Sequence, residues 1–517
     1  MTVIIFFQIL YYAWPLAIFL LENLDFSKKS DVLIFFSIFI INFIFSFIAC
    51  GFLSLFGSFF LKLILSSLFV LNGVAMHFMV RYGVVIDLAM VGNVFNTRVS
   101  EASVYLGFTF FFDVAFFGVL PAWLIAMQKI IFPRFLFRLL IAPFSTFVFL
   151  VWAFVTSSTW PWIGEHSKQL GGLILPWNYV GNTWMHVSNS IDVKPVELLP
   201  DGDFGKSSIP NLLTILVIGE SARSANFRQY GYERDTQPYT IEKGFVPLPS
   251  PRSCTTYTSG SLECILSHMG NKRSSFINYE PLQNYLSRMG VHVTWRTNNW
   301  GEPKSIVDLY QTRSEIVSEC ESYNCGDIYE DMGLLHGLEV LLEKNGARRD
   351  FVVLHQTGSH GSNYFEKYPD SFEVFSPVCR SIQLDLCSRQ SLLNSYDNTI
   401  AYTDYFLFKL SELVESKPNR PTLILYVSDH GESLGESGLY LHGTPNVMAP
   451  DVQRNIPFLV WTNEAFQSAK RIKSKWLRPE AEVNQNLVFH SVVGAFDLQT
   501  PVYNPELDLF EDVESAE

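Results

Sequence analysis

Apolar and polar positions divide the chain into two unlike parts. Residues 1–157 are largely apolar and rich in Phe, whereas nearly all the acidic residues and most of the prolines come later. A helix needs about 20 apolar residues to cross a bilayer. We therefore predict a membrane domain with five such spans, at residues 3–22, 31–55, 57–80, 105–127 and 136–156.

The charges around these spans predict their orientation. No Lys or Arg precedes the first span and no cleavage site of small residues follows it before Glu22, so we expect it to remain as an anchor. The connection between the fourth and fifth spans contains the basic residues Lys129, Arg134 and Arg138. Short basic loops face the cytoplasm. The N-terminus is thus expected inside, and everything after about residue 157 outside.

Two polar or amphipathic segments flank the spans. Trp160, Trp162, Trp177 and Trp184 favour an interfacial linker over residues 158–207, although buried core tryptophans are the alternative. Between the third and fourth spans, three polar residues recur at every fourth position and would share one face of a helix. That face is either solvated or functional, and its members are Asn93, Thr97 and Glu101.

The later part of the chain shows the pattern of an α/β domain over residues 208–505, followed by an acidic tail at 506–517. Short, continuous apolar runs are typical of parallel strands that are buried on both faces. Such runs occur at residues 212–218, 351–354 and 423–427. Helical patterns at residues 333–344 and 392–415 would provide the crossovers.

Each predicted strand runs into residues that can bind a metal. Glu220 follows the first strand, His360 the second, and Asp429 with His430 the third. Because sites form beyond the carboxyl ends of parallel strands, these residues should converge, with His442 as a further ligand or phosphate contact. Carboxylates and imidazoles without thiolates favour Zn²⁺ or Mn²⁺ over Ca²⁺ or Mg²⁺. Taken singly, each residue could instead be a helix-terminal charge or part of a hydrogen-bonded turn.

A hydroxyl-rich loop at residues 253–264 is the candidate source of a nucleophile. A metal can lower the pKa of a hydroxyl enough to make it reactive. Composition does not choose among Thr255, Thr256, Thr258 and Ser259.

Six of the seven cysteines fall in close pairs. Six cysteines allow 15 connectivities, but their spacing favours local disulfides, and the absence of a C-x-x-C unit argues against a zinc site. Disulfides agree with an oxidising compartment, whereas Cys50 lies inside the second span as a free thiol. The predicted pairs are Cys254–Cys264, Cys320–Cys325 and Cys379–Cys387.

The net charge of −13 argues against a nucleic-acid partner, since such proteins normally present a basic face. The motifs instead resemble those of the phosphoethanolamine transferases of Gram-negative bacteria, the lipid A-modifying and mobile colistin-resistance enzymes. The similarity covers nearly all of the later domain and reaches into the membrane part at residues 82–87. The matching segments are residues 217–223, 230–236, 254–264, 358–361, 395–399, 428–436 and 441–443.

The resemblance implies an α/β/α alkaline-phosphatase-like (sulfatase-type) fold with one zinc, in preference to manganese. Thr258 matches the family's nucleophile, and His360 and His442 match residues that hold substrate phosphate or a second metal. Asn93, Thr97 and Glu101 match residues that contact a lipid head group. The zinc ligands implied by the family are Glu220, Thr258, Asp429 and His430.

The implied reaction takes phosphoethanolamine from phosphatidylethanolamine through a phosphoethanolamine-threonine intermediate to a lipopolysaccharide or lipooligosaccharide acceptor, at lipid A or the inner core. It places a monomer in the bacterial inner membrane, with its catalytic domain in the periplasm and polymyxin resistance as a consequence. Some positions differ from the family pattern: residues 295–304 lack Cys, position 263 is Glu, and Ala225 and Asn226 replace a common Asp-His. These differences leave the acceptor open, with a periplasmic glucan as an alternative.

Other classes of protein remain alternatives. A glycerol-phosphate polymerase of the lipoteichoic acid type would share the spans and a threonine nucleophile, but the cysteines and residues 230–236 argue against it. A sulfatase would need a Cys-x-Pro-x-Arg motif, which does not occur. A non-catalytic sensor would not need the complete ligand set.

Overall fold

The computed structural model separates the chain into two compact units, residues 1–192 and 193–517. Three sequence predictions lie wholly or partly outside the described residues: Thr97 and Glu101, the Cys320–Cys325 pair, and the acidic tail beyond residue 510. The structure describes residues 2–96, 105–130, 132, 134–191, 195–206, 208–272, 277–320, 328–343, 348–381, 384–416, 419–470 and 483–510.

The first unit is helical in all its regular elements that the structure describes. The helices are α1 (Thr2–Tyr11), α2 (Trp14–Asn23), α3 (Lys29–Ser54), α4 (Ser58–Tyr82), α5 (Leu88–Asn96), α6 (Phe108–Met127), α7 (Phe135–Val155), α8 (Trp160–Glu165), α9 (Ser167–Leu173) and α10 (Trp177–Ile191). Four of them, α3, α4, α6 and α7, are long and apolar enough to cross a membrane, and they match four of the predicted spans.

The span expected at residues 3–22 is not one straight helix. It consists of α1 and α2, whose axes differ by 62°. Pro15 lies in the first turn of α2, and its ring and missing N–H prevent a helix from continuing through this position. The described residues therefore contain four candidate spans, or five if the bent pair crosses as one.

The segment expected as an interfacial linker is mostly helical. It contains α8, α9 and α10, which belong to the first compact unit. The indole N–H of Trp177, at the start of α10, donates a hydrogen bond to Ser46 Oγ of α3 at 3.3 Å. This hydrogen bond links α10 to the predicted span that forms α3.

The second unit is built on a seven-stranded sheet in which the three predicted strands are central neighbours. The strands are β1 (Leu213–Gly219), β2 (Val246–Pro247), β3 (His292–Thr297), β4 (Leu309–Thr312), β5 (Asp350–His355), β6 (Thr422–Ser428) and β7 (Phe458–Thr462). Their order in the sheet is β2-β7-β6-β1-β5-β3-β4, with β7 antiparallel to both its neighbours and the other pairs parallel.

Helices cover both faces of this sheet, as an α/β/α architecture requires. Every residue of β1, β5 and β6 is buried. The helices of this unit are α11 (Pro238–Glu242), α12 (Thr258–Ile265), α13 (Leu282–Arg288), α14 (Arg313–Cys320), α15 (Leu338–Glu343), α16 (Arg389–Glu415), α17 (Glu464–Lys470) and α18 (Leu487–Ala495). One face of the sheet packs against α12, α13 and α18, and the other against α15 and α16.

The register of the central strands brings the candidate residues to one level. Ile218 is paired with His355, and Gly219 with Ser428. The residues that follow each strand therefore emerge side by side at the carboxyl edge of the sheet. The helix expected at residues 333–344 is shorter, because Gly337 has φ +64° and separates a 3₁₀ segment, Glu330–Leu335, from α15.

Candidate active site

Glu220 leaves the end of β1 as a fully buried carboxylate. Ser221, the next residue, has φ +56°, which is unusual for a residue other than glycine. Its N–H donates to Asp429 Oδ1 at 3.0 Å and its hydroxyl to Glu220 Oε1 at 2.8 Å. The hydroxyl of Tyr396 on α16 donates to Ser221 O at 2.7 Å. The tight turn after β1 thus connects two candidate metal ligands.

Asp429 and His430 leave the neighbouring strand β6 at the same level. The N–H of Asp429 donates to Gly219 O at 2.9 Å, which continues the pairing of β6 with β1. The His430 N–H donates to Asp429 Oδ1 at 2.7 Å. The Gln485 amide donates to Asp429 O at 2.5 Å and to Ser428 O at 2.9 Å, so the backbone of this turn is fixed on both sides.

Thr258 is the first residue of α12, and its hydroxyl points into the cluster. It donates to Glu220 Oε2 at 3.1 Å and lies 3.4 Å from His430 Nε2. By contrast, the hydroxyls of Thr255 and Thr256 donate to the backbone oxygens of Tyr257 and Thr444. Thr258 is therefore the candidate threonine that the fold brings to the carboxylate and imidazole ligands.

His360 and His442 complete the predicted set in the second unit. The ring of His442 lies 4.3 Å from that of His430 and 5.4 Å from that of His360, between centroids. Glu432 accepts from His442 Nδ1 at 2.8 Å and from the Tyr364 hydroxyl at 2.7 Å. Because Nδ1 is used in this way, the other ring nitrogen of His442 is available to a ligand.

The donor atoms fit a divalent cation. His430 Nδ1 donates to Gly431 O at 2.9 Å, because a carbonyl can only accept, so Nε2 presents a lone pair. That lone pair faces Glu220 Oε1 at 3.3 Å and Asp429 Oδ2 at 3.1 Å. Burial lowers the pKa of His430 to about 4, which keeps the ring neutral at pH 7. Several electron-rich atoms thus converge at this point of the site.

Asp429 gives independent support for a metal. Its Oδ2 atom is buried and has no hydrogen-bond partner in the described part of the chain. Burial, and then the neighbouring carboxylate of Glu220, raise the pKa of Asp429 well above its usual range. A bound cation removes this penalty because it compensates the buried charges. Glu220, His430 and His442 also offer ligand atoms that all lie within 4.8 Å of one another.

Two contacts of this cluster were not foreseen from the sequence. The Asn299 side-chain amide donates to Glu220 Oε2 at 2.8 Å, the same oxygen that accepts from Thr258. The Gln485 side chain also accepts from the N–H of Cys254 at 2.9 Å, which links the β6 turn to the loop before Thr258. Asn299 follows β3. The apolar pattern of the sequence did not predict this strand, so it did not place Asn299 at the same edge of the sheet.

The disulfide predictions are confirmed where the described residues allow a test. Cys254 is bonded to Cys264 and Cys379 to Cys387, while Cys50 is a buried free thiol in α3. The first disulfide joins the loop before Thr258 to the last turn of α12. It therefore encloses Thr258 in a short covalent ring.

The three residues expected to contact a lipid head group, Asn93, Thr97 and Glu101, belong to the first unit. Asn93 lies in α5, but Thr97 and Glu101 are outside the described residues. Their shared helical face stays a prediction from sequence.

Family models match both units of the chain. A model described as phosphoethanolamine transferase EptA/EptB matches residues 38–191, and a sulfatase model matches residues 213–498. The second match spans the seven-stranded sheet and all the candidate ligands of this unit.

Relatives and solved structures agree with these matches. Phosphoethanolamine transferase EptA of Helicobacter pylori is 39% identical over 453 residues, covering 85% of this chain and 83% of the relative. Phosphatidylethanolamine transferase Mcr-1 of Escherichia coli is 32% identical over 436 residues, covering 78% and 79%. The integral membrane lipooligosaccharide phosphoethanolamine transferase A of Neisseria meningitidis superposes with TM-score 0.82 at 26% identity, covering 98% of this chain and 97% of that one. The chain therefore belongs to the phosphoethanolamine transferase family, within the alkaline phosphatase/sulfatase superfamily.

Proposed function

We propose that the protein transfers phosphoethanolamine from phosphatidylethanolamine to a lipopolysaccharide or lipooligosaccharide acceptor, with Thr258 as the nucleophile. The observation that carries this proposal is the position of the Thr258 hydroxyl, 3.1 Å from Glu220 Oε2 and 3.4 Å from His430 Nε2. The names of the relatives support the donor and acceptor classes: one is a phosphatidylethanolamine transferase and another a lipooligosaccharide phosphoethanolamine transferase.

The metal site is proposed to hold zinc through Glu220, Thr258, Asp429 and His430. Carboxylate and imidazole donors without thiolate suit zinc, with manganese second. When bound, zinc lowers the pKa of a coordinated hydroxyl and neutralises charge on phosphoryl oxygens. His442 lies close enough to share ligation or to hold a second ion, since its ligand atom falls within the same 4.8 Å group.

The first half-reaction forms a bond from Thr258 Oγ1 to phosphorus and breaks the bond from phosphorus to the glycerol oxygen. Glu220 Oε2 accepts the hydroxyl hydrogen bond of Thr258 and so lies where the departing proton must go. Thr258 also begins α12, so the developing phosphoryl charge faces the positive end of a helix. The glycerol oxygen takes up a proton as diacylglycerol leaves, which balances the proton lost by Thr258, and phosphoethanolamine remains esterified to Thr258.

The second half-reaction passes the group to the acceptor. An acceptor oxygen attacks phosphorus, the bond to Thr258 Oγ1 breaks, and the threonine recovers a proton. His360 and His442 are proposed to hold the phosphate oxygens during both steps. The Glu432 carboxylate fixes the His442 ring through Nδ1 at 2.8 Å, which orients the other nitrogen for this contact.

The cellular setting follows the same proposal. Two disulfides suit an oxidising compartment, and four apolar helices suit a membrane. We propose an inner-membrane monomer whose catalytic unit faces the periplasm. Anchoring would keep the site close to both lipid substrates and so raise their effective concentration.

Mass spectrometry tests the proposal directly. Lipooligosaccharide and periplasmic glycans are compared from cells that produce the wild-type protein or Thr258→Ala. We expect phosphoethanolamine on lipid A or the inner core only with the wild type. Modification of a glucan instead would correct the acceptor. No phosphoethanolamine on any glycan, or glycerol phosphate taken from phosphatidylglycerol, would overturn the proposal.

Peptide mass spectrometry tests for the proposed phosphoethanolamine-threonine intermediate. Purified wild-type protein is incubated with phosphatidylethanolamine in the absence of acceptor and digested for peptide mass spectrometry. We expect phosphoethanolamine on the peptide that contains Thr258. Attachment to another hydroxyl of residues 253–264 would reassign the nucleophile.

A further inference from the structure

Asp331 is a buried carboxylate that the proposed mechanism does not use. It lies in the 3₁₀ segment Glu330–Leu335, with 6% of its surface exposed. Its two oxygens accept from three groups: Asn298 Nδ2 at 2.8 Å, Thr357 N at 2.9 Å and Gly358 N at 2.8 Å. These groups belong to two different loops, one after β3 and one after β5.

One route from Asp331 leads to the backbone of Glu220. Asp331 Oδ2 accepts from the N–H of Gly358, which has φ +50°. The next residue, Ser359, donates its N–H to Glu220 O at 2.9 Å. The Gly358 turn also lies directly against Glu220, because a Cβ added to Gly358 would lie 2.8 Å from Glu220 O.

A second route leads to the side chain of Glu220. Asp331 Oδ1 accepts from Asn298 Nδ2, and the neighbouring Asn299 donates to Glu220 Oε2 at 2.8 Å. The two loops are also joined to each other, because the Thr357 hydroxyl donates to Asn298 O at 2.5 Å. One carboxylate therefore holds both segments that fix the position of Glu220.

Hydrogen bonds from Arg313 hold the backbone next to Asp331. Arg313 of α14 donates to Glu330 O at 2.7 Å and to Ile328 O at 3.1 Å. Glu330, directly before Asp331, has φ +40°. A non-glycine residue keeps this conformation only when its surroundings enforce it. The hydrogen bonds from Arg313 and the strained backbone of Glu330 together place the Asp331 carboxylate between the loop after β3 and the loop after β5.

We propose that Asp331 is a positioning residue that sets the metal-binding geometry of Glu220, and through it the reactivity of Thr258. The inference rests on the proposed function and adds a residue outside its ligand set. A carboxylate is needed at this place because all three partners are N–H donors. An Asn there would turn an N–H₂ group towards at least one of them and leave buried donors without acceptors.

The test compares Asp331→Asn with Asp350→Asn in the full-length protein. Asp350 is a matched control, since it is also buried and accepts from His292 Nδ1 at 3.0 Å and Arg348 Nε at 3.2 Å. It starts β5, at the end of the sheet away from the site. For Asp331→Asn we expect zinc affinity, measured by competition with a chelator, and kcat each to fall by about 10–100-fold. The KM for phosphatidylethanolamine should change little.

The control separates positioning from stability. Asp350→Asn should lower Tm while leaving zinc affinity and kcat close to wild type. If both variants lower Tm and neither changes zinc affinity, Asp331 is only structural and the inference is wrong. If the wild-type protein binds zinc but transfers no phosphoethanolamine, the proposed function fails, whereas the effect of Asp331→Asn on zinc affinity still decides the positioning role.

A second variant covers the case in which Asp331→Asn does not fold. Asn298→Ala cuts the route to the Glu220 side chain, leaves the route through Gly358 in place, and removes a half-buried amide that also donates to Glu330 Oε2 at 3.4 Å. We expect it to lower zinc affinity and kcat by a smaller factor in the same direction. Zinc affinity and kcat at wild-type values in Asn298→Ala would overturn the inference.

Discussion

The hydroxyl of Thr258 donates a hydrogen bond to Oε2 of Glu220 at 3.1 Å, across 38 positions of sequence. The contact arises because α12 starts at Thr258 while β1 ends just before Glu220. Helix start and strand end meet above the carboxyl edge of the sheet. The Thr258 hydroxyl proton thus lies between the proposed nucleophile and a proposed metal ligand, which is the basis of the first prediction.

Replacement of Thr258 should remove the reaction and spare the site. Thr258→Ala lacks the attacking oxygen, so head-group transfer should fall by at least about a thousandfold, as for other nucleophile deletions. Glu220, Asp429 and His430 remain, so zinc should still bind and Tm should change little. Thr258→Ser is the matched control and should keep measurable transfer. Full activity of Thr258→Ala would show that another group attacks phosphorus.

Removal of the metal should inactivate and destabilise the catalytic unit. Without a cation, the buried carboxylates of Glu220 and Asp429 repel each other and Asp429 Oδ2 has no hydrogen-bond partner in the described residues. A chelator should therefore abolish transfer and lower Tm, and Zn²⁺ should restore both better than Mn²⁺ or Mg²⁺. Metal analysis of the purified protein checks the same point. Full activity in protein that contains no metal would contradict the proposed site.

The central strands of the sheet could be predicted from the sequence because their apolar residues are consecutive. β1, β5 and β6 are built on continuous apolar runs, and a candidate ligand directly follows β1 and β6 and lies five residues after β5. The rule that sites form at carboxyl ends of strands was enough to bring Glu220, His360, Asp429 and His430 together. The choice of Thr258 needed the family resemblance, since the loop sequence offers several hydroxyls with equal chemistry.

The remaining features depend on tertiary context. β3 has the polar sequence His-Val-Thr-Trp-Arg-Thr, yet almost all of it is buried because loops and helices cover it. Asn299 was missed for this reason. Pro15 is a local indication of the bend between α1 and α2. The span was predicted from the average hydropathy of the segment, and a single proline changes this average very little. Asp331 had no signal, because its role comes from three contacts distant in sequence.

The disulfide next to the nucleophile should matter more for catalysis than the other one. Cys254 and Cys264 are 10 residues apart and Cys379 and Cys387 are 8 apart, so both close short loops of similar size. Replacing either pair by Ala should cost roughly 2–3 kcal/mol of stability. Only loss of Cys254–Cys264 should also lower kcat, because that ring contains Thr258. Equal kcat in the two double variants would contradict this assignment.

Two glycines with left-handed backbones allow a test of how closely the site is packed. Gly358 has φ +50° and Gly337 has φ +64°. Any L-residue at either position carries a conformational cost of about 1–2 kcal/mol. A Cβ at Gly337 would meet nothing within 4 Å, whereas one at Gly358 would lie 2.8 Å from Glu220 O and 3.0 Å from Glu220 N. The two substitutions therefore differ in the clash with Glu220.

Gly337→Ala should lower Tm modestly and leave transfer and zinc affinity near wild type. Gly358→Ala should lower Tm further, because the Glu220 backbone must move to relieve a contact with main-chain atoms. That movement also shifts the carboxylate that binds Thr258, so zinc affinity and kcat should each fall by at least about tenfold. Thermal unfolding, chelator competition and a transfer assay on both variants measure the difference. If the two alanines behave alike in all three, the Gly358 turn does not control Glu220.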